Sequence, residues 1–96
     1  MTIRILQSAI NDLHAGCLFY DRQGAGIGEY FLNSLFADID SLVLYAGIHP
    51  QYFGLYRLLS KRFPYAVYYK IEEDFIIVYR VLDLCQNPHK VRQALR

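Results

Sequence analysis

The side chains of this chain that could do chemistry are few and lie far apart in the sequence. Its three histidines, His14, His49 and His89, form no pair with the spacing of metal ligands. His49 has no neighbouring carboxylate in the sequence to orient it as a base, so an ordinary loop residue is the favoured interpretation. Cys17 and Cys85 form neither a metal pattern nor a disulfide framework. We therefore predict no catalytic residue, no metal site and no cofactor.

Three glycines alternate in the segment from Gly24 to Gly28, as they do in some phosphate-binding loops. The dinucleotide-binding fingerprint needs a strand in front of its glycines, whereas the residues before Gly24 have helical spacing. We interpret the segment as a turn between two helices.

Charge divides the chain into two unlike halves. Residues 1–54 hold two basic and five acidic residues, a net charge of −3, and residues 55–96 hold eight basic and four acidic residues, a net charge of +4. Such a basic half is typical of a surface that meets an acidic protein segment or a nucleic acid. Ordinary solvated surface charge is the alternative.

Length and composition predict one small folded domain over residues 1–96. The chain is 54% hydrophobic, with nine tyrosines and six phenylalanines, which excludes disorder and leaves aromatic side chains for a partner surface. The first twenty residues lack the pattern of a signal peptide, and no apolar run is long enough to span a bilayer. We expect a cytoplasmic protein that does not bind membranes.

The first half of the chain predicts a short strand followed by a helix hairpin. Residues 2–6 read as the strand, and Ser8 is the predicted N-cap of the first helix. Helical spacing then continues in each helix, over Ile10, Leu13, Cys17 and Tyr20 or Asp21 in the first and over the apolar stripe Ile27, Phe31, Leu35, Ile39 and Leu42 in the second. The second helix is expected to end near Gly47, before a loop over residues 49–54.

The second half predicts an antiparallel meander. Three strand-like runs cover residues 56–59, 63–71 and 75–84, with the hairpin turn at Glu72-Glu73-Asp74. The last run is apolar at nearly every position, as expected of a strand covered on both faces. Asn87 and Pro88 can begin a short C-terminal helix. The predicted fold is therefore α+β, in the order β-α-α-β-β-β, with the helix hairpin packed on the sheet.

The order of features in this half resembles a known family. Arg57-Leu58-Leu59, Phe63-Pro64-Tyr65, an aromatic strand, the acidic turn and a strand ending in Val81-Leu82-Asp83 are similar to the toxin subunits of the ParE/RelE superfamily. These are toxins of bacterial toxin–antitoxin pairs. The resemblance covers nearly the whole chain and is closer to ParE. It implies a helix hairpin on an antiparallel sheet and a cognate antitoxin as partner.

The two branches of that superfamily imply different activities. RelE-like toxins resemble metal-free, ribosome-dependent mRNA endoribonucleases, whose basic side chains stabilise the transition state at the RNA phosphate. Here Ala66 and Asn87 stand where that resemblance expects arginines, and the C-terminal tail has no tyrosine. ParE-like toxins resemble inhibitors that bind DNA gyrase. We therefore favour a gyrase-binding toxin, with an endoribonuclease or a non-toxic binding module of the same fold as alternatives.

The candidate contact residues follow from the alternation along one strand. Tyr65, Val67, Tyr69 and Ile71 share one side of that strand, whereas Ala66, Tyr68 and Lys70 share the other, so more of it is apolar than one helix layer requires. An amphipathic antitoxin helix could cover the open face, with basic residues at the rim. The alternative is that the chain's own C-terminal segment covers it. The predicted partner- or target-binding residues are Arg57, Lys61, Arg62, Tyr65, Tyr68, Tyr69, Arg80 and Asn87.

Overall fold

The computed structural model describes residues 1–96 and confirms the α+β fold, with a helical layer on a five-stranded sheet. Two short elements, a four-residue helix and a two-residue strand, join those that the sequence predicts. The elements are β1 (Thr2–Ile5), α1 (Gln7–Gln23), α2 (Ile27–Asp40), α3 (Leu42–Tyr45), β2 (Gln51–Tyr52), β3 (Leu55–Leu59), β4 (Tyr65–Glu72), β5 (Phe75–Asp83) and α4 (Pro88–Leu95). None of these helices has the length and apolar character needed to cross a membrane.

The sheet has the strand order β1-β5-β4-β3-β2. Strands β2 to β5 form the predicted antiparallel meander, whereas β1 pairs with β5 in parallel, from Thr2 opposite Phe75 to Ile5 opposite Val78. The N-terminal strand can run parallel because α1 and α2 lie between it and the meander in the sequence. The first strand of the chain thus pairs directly with the last.

The helix hairpin covers one face of the sheet and forms the main core. The stripe on α2 is confirmed, because Phe31, Leu35 and Ile39 are buried. On α1 the buried residues are Ala9, Leu13 and Gly16, and the prediction of Ile10 as a core residue is wrong, since that side chain is 45% exposed. Helix α1 contacts α2 and β5, and Ile10 is neither in the main core cluster nor packed against it.

Ser8 does not cap α1 as predicted. The helix begins two residues earlier than predicted, at Gln7, and its N-cap residue, Leu6, makes no side-chain hydrogen bond. The Ser8 hydroxyl instead donates a 2.6 Å hydrogen bond to the carbonyl oxygen of Tyr79 on β5. The Ser8 hydroxyl is therefore hydrogen-bonded to β5 and is not available to cap the helix.

The predicted loop at residues 49–54 contains a small hairpin. Phe53 and Gly54 both have positive φ angles, 54° and 78°, so the chain reverses tightly and pairs β2 with β3. Two successive residues with positive φ match the right-handed twist of a two-residue hairpin. Phe53 is an unusual residue in such a turn, which explains why the sequence pattern did not reveal it.

The opposite face of the sheet is partly covered by α4, as one of the alternatives above expected. Asn87 is confirmed as the N-cap, because its side chain accepts a hydrogen bond from the His89 amide. Helix α4 buries Leu95 in a second core cluster together with Leu55, Ala66, Tyr68 and Leu82. The last strand is therefore covered on both faces at its C-terminal end.

Candidate partner-binding surfaces

A groove opens on the sheet face opposite the helix hairpin, between the β2–β3 hairpin and α4. We call it the Arg57 groove. It has a volume of about 420 Å³ and is lined chiefly by Tyr52, Phe53, Arg57, Tyr68, Arg92 and Leu95. Of the predicted contact residues, Arg57 and Tyr68 are brought together here. Sequence reasoning missed Tyr52, Phe53 and Arg92, because the β2 hairpin and the position of α4 were not visible in the pattern.

Arg57 is held in this groove by aromatic side chains. Its guanidinium carbon lies 4.0 Å from the centre of the Tyr52 ring, and Nη2 donates a 3.1 Å hydrogen bond to the Tyr52 hydroxyl. Burial raises the pKa of the neighbouring Tyr68 hydroxyl, and hydrogen bonding to Arg57, together with the Arg57 charge, opposes that increase. The Nε atom of Arg57 is buried and has no hydrogen-bond acceptor.

Arg80 is not the free rim charge that we predicted. Its guanidinium donates hydrogen bonds of 2.7 and 2.9 Å to the two carboxylate oxygens of Asp12 on α1, and a third of 3.3 Å to the Ala94 carbonyl on α4. The Asp12 hydrogen bond raises the pKa of Arg80. Because its donors bond within the chain, Arg80 joins α1, β5 and α4 and offers little to a partner.

Tyr65 and Tyr69 also lie where a partner on the open face cannot reach them. Both point toward the helix hairpin and belong to the main core, with 7% and 0% of their surface exposed. Burial, together with nearby charges of which Asp83 has the largest effect, raises the pKa of Tyr65 to about 12. Tyr68 points to the other face but is only 2% exposed, because the C-terminal helix covers it.

The remaining predicted residues lie apart from one another. Lys61 and Arg62 are exposed in the connection between β3 and β4, and Lys61 borders a small cavity beside α3 and His49. Asn87 is exposed and caps α4. The eight predicted residues therefore do not form one site.

A second candidate surface, which the sequence analysis missed, is formed by three residues of α3 and by Ile48, which lies three positions after the end of that helix. Val43, Leu44, Tyr45 and Ile48 are 55%, 80%, 53% and 73% exposed. We call these four residues the α3 patch. Exposed apolar side chains that lie this close together commonly mark protein–protein contacts. Helical spacing beyond Leu42 could have revealed them, since they leave the buried stripe of α2.

His49 has a structural neighbour and not a catalytic one. Its Nδ1 atom contacts the Tyr69 hydroxyl, which also accepts a 2.9 Å hydrogen bond from the Gly47 amide. The Tyr69 hydroxyl donates to Nδ1 or accepts from it, according to the tautomer of the imidazole. Burial lowers the pKa of His49 and so favours the neutral imidazole. No group of His, Cys, Asp and Glu side chains has a geometry that could hold a metal ion.

Comparison with known proteins supports the fold. No protein-family model and no curated protein sequence matches this chain. Among solved structures, the chain is similar to one described as "Chromosomal ParDE TA system from P. aeruginosa", with a TM-score of 0.80 and 18% sequence identity. The match covers 88% of this chain and 96% of that chain. At this identity the likeness concerns the fold, and it confirms the ParE-like architecture that the resemblance implied.

Proposed function

We propose that this chain is a ParE-like toxin of a type II toxin–antitoxin pair, which binds a cellular target such as DNA gyrase and is neutralised by a cognate antitoxin. The observation that carries the proposal is the shared fold with a chain from a ParDE toxin–antitoxin system, over nearly the full length of both chains. The antitoxin, and gyrase if it is the target, would meet the protein in the cytoplasm, where it would form a hetero-oligomer with the antitoxin.

The surfaces of the chain support a function in binding. The Arg57 groove and the α3 patch together expose aromatic, apolar and arginine side chains, which are enriched at protein interfaces. Two such surfaces on a protein of this size support a function that depends on a complex with another protein.

Two positions weigh against the endoribonuclease alternative. Ala66 is fully buried in the second core cluster, and the Asn87 side chain is engaged in capping α4. Neither can supply the cation that RNA cleavage by a RelE-like toxin would need at that place. These two positions therefore favour inhibition by binding over RNA cleavage.

The test is induced expression of the chain in a bacterial host, with growth and plasmid supercoiling followed together. We expect growth arrest with loss of negative supercoiling, and rescue when a short open reading frame adjacent to its gene is co-expressed. A nonsense variant of the same transcript controls for the burden of expression.

Other outcomes would separate the alternatives. Arrest with normal supercoiling would point to translation and the endoribonuclease. Normal growth with the chain present in folded form would overturn the toxin proposal in favour of a binding module.

A further inference from the structure

Arg57 has fewer hydrogen-bond acceptors than its burial requires. Nε is buried without an acceptor, and the other acceptors beside the guanidinium are neutral hydroxyls, that of Tyr52 at 3.1 Å from Nη2 and that of Tyr68. Arg80 shows the contrast, because both oxygens of Asp12 accept its hydrogen bonds. Buried donors in folded proteins nearly always have a partner, so an arginine left in this state needs an explanation.

The groove around Arg57 contains no counter-ion. Arg57 and Arg92 both line it, and no aspartate or glutamate does. The surface is therefore complementary to a negative group that this chain does not supply. A carboxylate suits an arginine especially well, because it can accept two parallel hydrogen bonds from the guanidinium.

The rest of the groove is built for an apolar neighbour. Phe53 is 56% exposed at one wall, and Val91 and Leu95 of α4 form the other. The stacking of Arg57 on Tyr52 fixes the guanidinium before any ligand arrives, which lowers the entropy lost on binding. A volume of about 420 Å³ holds a few side chains.

We propose that the Arg57 groove binds an acidic–apolar segment of a partner protein, with one Asp or Glu carboxylate of that segment paired to Arg57 and its apolar neighbours packed between Phe53 and Leu95. The inference rests on the proposed function for its choice of partner, the antitoxin. The inference adds the chemical features that an antitoxin segment needs in order to bind in the Arg57 groove.

A protein segment fits the groove better than a nucleic acid does. RNA or DNA needs cations along the path of its backbone as well as aromatic platforms for its bases. The groove offers two arginines, one of them at its exposed margin, and the chain has a net charge of +1. A protein segment with one carboxylate among apolar residues matches both the arginines and the apolar walls of the groove.

The experiment is a selection of displayed random 12-residue peptides on the purified chain, with no counter-selection against any variant, so that dependence on Arg57 is measured afterwards. We expect the selected peptides to share one Asp or Glu flanked by apolar residues. Replacement of that acid by its amide in a synthetic peptide, or Arg57→Gln in the protein, should weaken binding about tenfold, as expected for a hydrogen bond between charged groups. Arg57→Lys should give an intermediate affinity.

The matched control is Arg62→Gln, which removes the same charge from an exposed position outside the groove and should leave affinity unchanged. Thermal melts show that each variant is folded.

Peptides that lack an acid, or that bind equally without Arg57, overturn the inference, and so does a 12-nucleotide single-stranded RNA that displaces the peptide in an Arg57-dependent manner. None of these readouts measures growth arrest, so the failure of either proposal is visible without the other.

Discussion

At the scale of single residues, Asp12 is the carboxylate on which most hydrogen bonds converge. It accepts two hydrogen bonds from Arg80 and a third, of 2.9 Å, from the backbone amide of Val81. That amide lies on the part of β5 that β1 does not reach, since β1 pairs only as far as Val78. Asp12 therefore neutralises the charge of Arg80 and also provides an acceptor for a backbone amide at the edge of β5.

Asp12→Ala should lower the free energy of unfolding by about 2 kcal/mol, because it leaves both Arg80 and the Val81 amide without an acceptor at a partly buried site. Urea denaturation monitored by circular dichroism measures the loss. The exposed Asp40, replaced in the same way, should change stability by less than about 0.5 kcal/mol. Equal effects at the two positions would contradict the assigned role of Asp12.

His49 should make stability depend on pH near neutrality. Its pKa is lowered in the folded state, so the unfolded chain binds the proton more readily. The contribution of neutral His49 to the free energy of unfolding should be complete above the pKa of the unfolded chain, about 6.5. As the pH falls below that value, the free energy of unfolding should decrease. Urea titrations between pH 5.5 and 7.5, compared with His49→Gln, isolate this effect, which the variant should lack. A parallel decrease in both proteins would assign it to other groups.

At the scale of elements, the two helices approach closely because small residues face large ones. A Cβ atom on Gly16 would lie 2.5 Å from the ring of Phe31, and one on Gly28 would lie 2.6 Å from the Cys17 carbonyl oxygen. The Asp21 carboxylate also accepts a 2.9 Å hydrogen bond from the Gly28 amide and so fixes the start of α2. The turn between α1 and α2 is thus held by packing as well as by its glycines.

Gly16→Ala should destabilise the protein by about 1–3 kcal/mol, because the overpacking at the buried Phe31 ring exceeds the gain in helix propensity. The additional change Phe31→Leu should recover part of that loss, although Phe31→Leu alone is destabilising. A double-mutant cycle from urea denaturation gives the coupling. Strict additivity would show that the two residues do not meet as described.

The sequence predicted the elements well and the contacts between them poorly, for physical reasons. Apolar runs and helical stripes depend on local periodicity, so β4, β5 and α2 could be recognised. At Tyr79 the register shifts, because Tyr68 lies opposite Arg80 and Tyr69 opposite Val78. A bulge of this kind changes which residues share a face. The pairing of Arg80 with Asp12, far apart in the sequence, leaves no local signal either.

At the scale of the whole molecule, the two candidate surfaces lie in different places. The Arg57 groove is bounded by the β2–β3 hairpin and α4, whereas the α3 patch belongs to the helical segment that contacts β1. A protein that covered both would have to extend around the sheet instead of docking on one spot. Extended, wrapping partners bind this way when they fold on binding.

The paired change Leu44→Ser and Ile48→Ser should leave stability within about 0.5 kcal/mol of the parent, since both side chains are largely exposed. If the α3 patch contacts the antitoxin, affinity should decrease at least about tenfold in calorimetric titration. Leu18→Ser, at an exposed position of α1, serves as the matched control. Unchanged affinity for the paired variant would remove the patch from the interface.

The parallel pairing of β1 with β5 has a consequence for the order of events during synthesis. Thr2 lies opposite Phe75, so β1 leaves the ribosome well before β5 and has no sheet partner until the helices and the other strands between them have been made. Pairing of such distant segments is slow compared with closure of the local hairpins β3–β4 and β4–β5. A translation product truncated before β5 would lack this pairing, and any activity that needs the five-stranded sheet arises only after β5 has been synthesised.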